Sequence, residues 1–150
     1  MKRSQDKDFF FLLHDVARLL RTRADQMARA HGMTRAQWVI LLRLERQPGL
    51  SQNEMAELLE VEPITVCRLV DRLESRGFLE RRADPADRRI KRLHLLPASA
   101  PILKEIAGCR SELHELISGD IPSATLNVMT ETLRQMRATL TAEPRAAKSA

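Results

Sequence analysis

The sequence has few aromatic residues, few cysteines and no long apolar run. Aromatic residues make up 3% of the 150 residues, with one tryptophan and no tyrosine. This scarcity is unlike a β-sandwich and favours helices packed through Leu, Ile, Val, Met and Ala. No run of 18 apolar residues is present, and the apolar stretch at 9–13 is followed by charge. We therefore expect neither a membrane span nor a secretory leader, but a soluble cytoplasmic protein.

The cysteines are too few and too far apart for a disulfide framework or a zinc site. Cys67 and Cys109 lie 42 residues apart, with no Cys-x-x-Cys and no clustered histidines. We expect reduced thiols, with Cys109 packed among apolar neighbours and a redox role for Cys67 left open. The sequence also has no Gly-rich phosphate loop, no Ser/His/Asp spacing and no paired carboxylates. We expect no enzyme activity, no cofactor and no metal.

Positive charge is concentrated in one segment. The net charge is +5 and the pI is about 9.9. Residues 63–92 contain nine Lys and Arg against five acids, so this segment carries +4 of the +5. An excess of cations in one segment indicates a polyanionic partner such as nucleic acid.

Apolar spacing and capping signals predict four helices in the first half. Residues 8–30 have apolar positions in steps of three and four, which predicts a long amphipathic helix. Thr34 can cap a second helix, and the Ser51-Gln-Asn-Glu54 stretch is a capping box for a third. We expect Leu58 of that third helix to face inward. Pro63 suits the first turn of a fourth helix.

The fourth helix, predicted over 63–76, has two different sides. Its apolar stripe faces the core and consists of Val66, Leu69, Val70 and Leu73. A second stripe, roughly 100° round the helix, consists of Thr65, Arg68, Arg72 and Arg76. Gly77 then stands where a left-handed helix cap would fall.

A short hairpin follows, with strands predicted at 78–82 and 90–96. Its tip carries the sequence DPADRR at 84–89. Asp87 lies one residue before Arg88 and two before Arg89. Because a free acid there would repel phosphate, we expect Asp87 to pair with a neighbouring arginine and fix the loop shape.

Two narrow apolar seams follow the hairpin. They run through 102–116 and 126–140 in alternating steps of three and four, a spacing typical of helices that pair with each other or with a second chain. We expect the tail at 143–150 to be disordered.

The third and fourth helices, joined by a short connection, follow the plan of a helix-turn-helix, whose second helix enters the DNA major groove. Arg68 is the candidate for a guanine edge, and the hairpin forms a wing over 83–89 whose arginines can enter a minor groove. The remaining candidate DNA contacts lie at the starts of the two helices, on the basic stripe or at the wing tip: Ser51, Gln52, Pro63, Ile64, Thr65, Arg72, Arg76, Asp87, Arg88 and Arg89.

These features resemble the MarR family of winged-helix transcription regulators over about residues 8–142. The most specific segments are GFLER at 77–81, DPADRR at 84–89 and LHL at 93–95. The resemblance implies a mainly α fold with a small β-hairpin, in a single domain over 1–150. A winged helix-turn-helix at 34–96 would be flanked by dimerisation helices at 8–30 and 98–142.

The resemblance also implies a function. It makes Asp87 the acid that braces the wing and Arg89 the minor-groove arginine. It implies a homodimer joined through its first and last helices, which binds double-stranded DNA at an inverted-repeat operator, as a repressor or an activator. A small anionic or aromatic effector would bind near His14, Arg21, Thr34 and Trp38.

One segment departs from the family pattern, and another function stays open. Leu96-Pro97-Ala98 replaces the usual Leu-Thr and Gly-containing stretch, so the start of the fifth helix is not set by the resemblance. The alternative is a dimeric helical adaptor that binds a protein partner and whose wing only carries surface charge. A metal-sensing regulator is a lesser variant, disfavoured by the lack of clustered ligands.

Overall fold

The structure is a computed structural model that describes residues 2–142, with side chains from residue 8 onward. The elements are α1 (Lys2–Ala30), α2 (Arg35–Arg46), α3 (Gln52–Leu59), α4 (Pro63–Ser75), β1 (Leu79–Ala83), β2 (Lys91–Leu95), α5 (Ser99–Ser118) and α6 (Ser123–Ala142). The predicted mainly α fold with one hairpin is confirmed. The chain divides into two compact units, one ending at Arg110 and the other beginning at Ser111. The predicted tail at 143–150 lies outside the described residues.

Side-chain caps set the starts of α2 and α3. The Thr34 hydroxyl accepts from the Gln37 N–H at 3.2 Å, and the Gln37 side chain accepts from the Thr34 N–H at 2.9 Å. Ser51 and Glu54 form the same reciprocal pair at 3.1 and 2.8 Å. Both helices therefore begin where a hydroxyl satisfies an amide that has no partner within the helix.

The connection between α3 and α4 is a tight turn of three residues. Glu60 takes a left-handed conformation, with φ of 54°, and forms the C-terminal cap of α3, which ends at Leu59. Pro63 is the first residue of α4, as predicted. Gly77, at φ of 75°, then turns the chain into β1. Glycine suits this position because the left-handed backbone conformation is strained for residues with a Cβ.

The two strands pair antiparallel, from Leu79 opposite Leu95 to Ala83 opposite Lys91. Each predicted strand boundary is shifted by one residue. At the start of β1 the reason is that the Phe78 N–H donates to the Leu73 carbonyl of α4. The loop before α3 joins this hairpin: the Leu93 N–H donates to the Leu50 carbonyl at 2.8 Å and the Gly49 N–H to the Leu93 carbonyl at 3.0 Å. Backbone bonds thus hold the wing against the start of α3.

The core of the first unit is formed by the inner sides of α2, α3, α4, α5 and the hairpin, together with Ala28 at the end of α1. Val66, Val70 and Leu73 are fully buried, as the α4 pattern predicts, and Leu69 is partly buried. The prediction that Leu58 faces inward is wrong, because α3 buries Met55 and Ala56 and leaves Leu58 42% exposed.

Helices α1 and α6 each carry several exposed apolar side chains. On α1 these are Phe9, Phe10, Phe11, Leu12, Leu13, Val16 and Leu19, and on α6 they are Val128, Met129, Leu133 and Leu140. Within the described part of the chain, no helix is both long and apolar enough to cross a lipid bilayer.

Candidate nucleic-acid interface

The outer side of α4 presents polar and basic groups next to a buried apolar side. Exposed residues along its length include Pro63, Ile64, Thr65, Arg68 and Arg72, together with Asp71, Glu74 and Ser75. Neither Arg68 nor Arg72 forms an ion pair with a side chain that the structure describes. Their guanidinium groups are therefore available to an external acceptor.

Arg76 is placed differently from the other two arginines of the stripe. It stands at the C-terminal cap of α4, and its Nη1 donates to the Gly32 carbonyl at 3.1 Å. Its guanidinium also lies 4.8 Å from the centre of the Phe78 ring, a cation–π distance. Arg76 thus links the end of α4 to the turn after α1.

Arg81, which was not among the candidate DNA contacts, ties the wing to both helices of the helix-turn-helix. Its side chain is 18% exposed. It donates to Gln52 at 2.6 Å, to Asp71 at 2.6 Å and to Glu74 at 3.0 Å. Burial disfavours its charge, but the two carboxylates outweigh burial and raise the pKa of Arg81. This network fixes β1 relative to α3 and α4.

Asp84 and Arg92 hold the base of the wing loop. Arg92 donates through Nε to the Asp84 carboxylate and through Nη1 to the Gly49 carbonyl at 2.9 Å. Asp84 also accepts from the Ala86 N–H at 2.7 Å. The hydrogen bond from Arg92, followed by that from the Ala86 backbone, lowers the pKa of Asp84. Asp84 therefore stays charged, and its hydrogen bonds to Arg92 and Ala86 fix the base of the wing loop.

Asp87 braces the tip. Its carboxylate accepts from the backbone N–H and from the Nε of Arg89, each at 3.1 Å. The bond from the Arg89 side chain, and then that from its backbone, lowers the pKa of Asp87. The Arg89 side chain is nonetheless 90% exposed, and Arg88 is exposed beside it. The pairing of Asp87 with a neighbouring arginine is thus present in the structure.

A groove of about 370 Å³ separates the wing from the start of α3. It is lined by Ser51, Gln52, Asn53, Asp87, Arg89, Ile90 and Lys91. The Ser51 hydroxyl is used by the helix cap and the Gln52 carbonyl oxygen by Arg81. The backbone amides at the first turn of α3 and the Arg89 and Lys91 cations leave this groove suited to an anion.

The four candidate effector residues are not brought together. A second groove, of about 490 Å³, is lined by Arg29, Gly32, Met33, Thr34, Gln37, Arg72, Ser75 and Arg76. Of the four candidates it contains Thr34, whose hydroxyl caps α2. His14 and Arg21 are exposed on α1, and Trp38 is a core residue at 4% exposure. The Trp38 Nε1 has no hydrogen-bond partner among the described residues.

No group of three or more His, Cys, Asp or Glu side chains within residues 8–142 is arranged to hold a metal ion.

Comparison with known proteins supports the family resemblance. Residues 33–91 match the model of the MarR family. An uncharacterised HTH-type transcriptional regulator of Bacillus subtilis (strain 168), YybA, is 34% identical over 61 residues, which are 41% of this chain and 41% of that protein. This chain thus spans under half the length of that relative.

Solved structures extend the likeness beyond this segment. A crystal structure of MarR aligns with a TM-score of 0.78 at 28% identity, covering 87% of this chain and 88% of that one. The regulator Tm0710 of Thermotoga maritima aligns with a TM-score of 0.64 at 26% identity, covering 90% and 95%. With the helix-turn-helix and its braced wing in place, these matches show that residues 33–91 are similar to the MarR family and that the chain shares the winged-helix fold of the solved structures.

Proposed function

We propose that the protein is a transcription regulator that binds double-stranded DNA through α4 and the wing. The observation that carries this proposal is the bracing of the two basic surfaces against each other. Arg81 joins β1 to α4 through Asp71 and Glu74, and Arg92 joins the wing loop to the turn before α3. A rigid lobe of this kind can present a helix and a wing to adjacent grooves without reordering.

In this proposal α4 enters the major groove. Arg68 is exposed and unpaired among the described side chains, so its fork is available for the O6 and N7 atoms of a guanine. Pro63, Ile64 and Thr65, at the leading end, would contact a thymine methyl or a base edge. Arg72, one turn further from the leading end, would contact a phosphate. Arg76 would add positive charge near the DNA backbone while its hydrogen bond to the Gly32 carbonyl holds the turn after α1.

The wing would enter the neighbouring minor groove with Arg89 leading and Arg88 beside it. The pair with Asp87 restricts the Arg89 side chain before binding, so less rotamer freedom is lost at the interface. The groove between wing and α3 would hold a backbone phosphate. There the first turn of α3, at Ser51 and Gln52, would face the anion together with Lys91.

The active form would be a homodimer of single MarR-type domains, each using residues 8–30 and 98–142 for dimerisation and 34–96 for DNA. Exposed apolar side chains on α1 and on α6 support this proposal. Phe10 and Phe11 are 59% and 72% exposed, and Leu133 and Leu140 are 49% and 74% exposed. Apolar area of this extent is costly in water and typical of an interface. A twofold dimer would bind an inverted repeat.

A small anionic or aromatic effector would modulate the binding. The groove lined by Arg29, Arg72 and Arg76 supports the proposal of an anionic effector, because three cationic side chains line it. An anion seated there would compete with DNA phosphates for Arg72. His14, Arg21 and Trp38 lie outside the residues that line this groove, and Thr34 lies among them. We propose repression by steric occlusion of a promoter as the mode of action.

A titration of the purified protein against the DNA upstream of its own gene tests the proposal. A gel shift or fluorescence anisotropy should show saturable binding that weakens steeply as salt rises from 50 to about 200 mM, because phosphate contacts release counterions. Absence of binding, or binding that does not respond to salt, would contradict it.

An adaptor that binds another protein is the alternative, and the exposed apolar faces of α1 and α6 favour it equally. Sedimentation separates the two. An adaptor would form a complex with a protein partner, and its homodimer would not shift when palindromic DNA is added. Similarity to the MarR family, whose members are transcription regulators, supports the proposal of a regulator without enzyme activity.

A further inference from the structure

Asp71 lies beside Arg68 on the outer side of α4 but does not pair with it. The two residues are three positions apart, a separation at which side chains are neighbours on a helix surface. An acid and an arginine at this separation form an ion pair on α1, between Asp15 and Arg18. Arg68, by contrast, is exposed and has no ion pair among the described side chains. The acid with the right spacing for Arg68 is therefore held elsewhere.

The cation that holds Asp71 is Arg81 of β1. The Arg81 Nη2 donates to the Asp71 carboxylate at 2.6 Å. The same guanidinium donates to the Gln52 side chain at 2.6 Å, to the Glu74 carboxylate at 3.0 Å and to the Cys67 carbonyl at 3.2 Å. Three partners thus fix the guanidinium independently of Asp71, which makes it a rigid anchor for that carboxylate.

Glu74 shares the anchor but has different neighbours on the helix. It accepts from the Arg81 side chain and also from the Arg81 backbone N–H, at 3.0 Å. The residues three and four positions from Glu74 are Val70, Asp71, Gly77 and Phe78. If Arg81 were removed, Asp71 would have an arginine at ion-pair spacing on α4, and Glu74 would have none. The two acids therefore differ in what they could reach.

We infer that Arg81 is a positioning residue for Arg68: it holds Asp71 away from Arg68, so that the Arg68 guanidinium stays free for a base edge. The inference rests on the proposed function, in which Arg68 contacts a guanine. A bidentate contact with the O6 and N7 atoms of guanine needs two donors of the guanidinium in a fixed geometry. An Asp71 carboxylate bound to Arg68 would occupy such donors and would have to be displaced before DNA could bind.

The bracing of the wing by Arg81 predicts a different pattern of losses. If Arg81 acted only by holding β1 against α4, its removal would weaken binding to every sequence. Substitution of an acid on α4 would then restore nothing, because the missing link would still be missing. If Arg81 also positions Arg68, its removal should lower base preference, and substitution of Asp71 should restore that preference.

The test compares four full-length proteins: the parent, Arg81→Met, Arg81→Met with Asp71→Asn, and Arg81→Met with Glu74→Gln. Methionine keeps a long unbranched side chain and removes the charge. The two double variants have the same net charge, and each has lost one acid that bonds to Arg81, so general electrostatics is matched between them. Binding is measured by fluorescence anisotropy at about 150 mM salt. The probes are a duplex selected by the parent protein, its single-position variants and a random-sequence duplex, and circular dichroism checks the fold of each protein.

Arg81→Met should bind the selected duplex roughly tenfold more weakly than the parent, and it should lose preference at the base position where Arg68→Ala loses it. Adding Asp71→Asn should return the affinity to within about threefold of the parent and restore the base preference. Adding Glu74→Gln should leave both at the level of Arg81→Met. Arg81→Gln, which keeps a hydrogen-bond donor, takes the place of Arg81→Met if that variant does not fold.

Equal recovery with the two acid substitutions, or no recovery with Asp71→Asn, would overturn the inference and leave Arg81 as a brace alone. In either case the parent protein still binds DNA, and the proposed function stands. A parent protein that binds none of the duplexes would overturn the inference together with the proposed function.

Discussion

Arg92 links the Asp84 carboxylate at the base of the wing to the Gly49 carbonyl in the turn before α3. The two partners of Arg92 stand 35 residues apart in the chain, so one side chain sets the position of the wing relative to the helix-turn-helix. The wing tip can be exposed and yet ordered because its base is fixed in this way.

This relationship predicts the effect of Asp84→Asn. The amide keeps the size of the side chain but loses the charge that Arg92 pairs with, so the wing should loosen and DNA binding should weaken. Hydrogen exchange of the Ala86 and Ile90 amides, which bond to Asp84 and Asp87, should become faster. Glu80→Gln is the matched control, because Glu80 pairs with Arg82 on the strand and touches no part of the loop. Equal exchange in the two variants would refute the bracing role.

The stability of the wing should depend on pH only in acid. The pKa values of Asp84 and Asp87 lie below the ordinary value of 3.8, so the stability that the two carboxylates contribute is complete above about pH 4 and is lost as the pH falls below that value. Exchange at the wing amides should therefore be flat between about pH 5 and 7 after correction for intrinsic rates. In the Asp84→Asn variant, acidification should increase the exchange rate of the wing amides less than in the parent protein. A loss of protection centred near neutral pH would contradict this assignment.

Arg81→Ala should lower the free energy of unfolding by roughly 1–3 kcal/mol, since it removes several charge-assisted hydrogen bonds of a largely buried side chain. Urea denaturation measures the change. Arg82→Ala is the control, because that neighbouring arginine is 55% exposed and bonds only to Glu80 among the described residues. We expect the control to stay within about 0.5 kcal/mol of the parent protein.

Arg89→Ala should weaken operator binding by roughly 1–3 kcal/mol, because a minor-groove arginine would be lost while the fold stays intact. Anisotropy titration at fixed salt gives the change, and circular dichroism checks the fold. Arg82→Ala again removes one charge from the same hairpin, away from its tip. If both variants weaken binding equally, the wing contributes only general charge.

Arg68→Ala and Arg72→Ala should change DNA binding in different ways. A base contact at Arg68 predicts relaxed preference at one operator position. A phosphate contact at Arg72 predicts weaker binding to every sequence and a salt slope reduced by about one. Titrations against an operator and its single-position variants separate the two. An equal loss on all sequences for Arg68→Ala would exclude it as a base contact.

The local features of the fold were predictable from the sequence. The caps at Thr34 and Ser51, the helix start at Pro63 and the left-handed Gly77 each depend on residues within a few positions of each other. Their physical causes are therefore visible in the linear pattern. The pairing of Asp87 with a neighbouring arginine was expected on the same local basis, because a free acid at the wing tip would repel phosphate.

The contacts that join elements were not predictable. Arg81 bonds to Gln52, 29 residues away, and His31 meets Cys109 across 78 residues. An arginine in a basic segment or a cysteine on an apolar stripe carries no local sign of such partners. The choice of Trp38 and His14 as effector residues has the same basis, because helix spacing sets a face but not which faces meet.

Selection from a random duplex library tests the central claim, that two braced basic surfaces of a dimer bind DNA by sequence. Protein is incubated with the library at about 150 mM salt, bound duplexes are recovered and sequenced over several rounds, and Arg68→Ala with Arg89→Ala serves as the control. We predict enrichment of an inverted repeat with half-sites about one helical turn apart, which the double variant fails to enrich. Enrichment of no motif, or of the same motif by both proteins, would contradict the account.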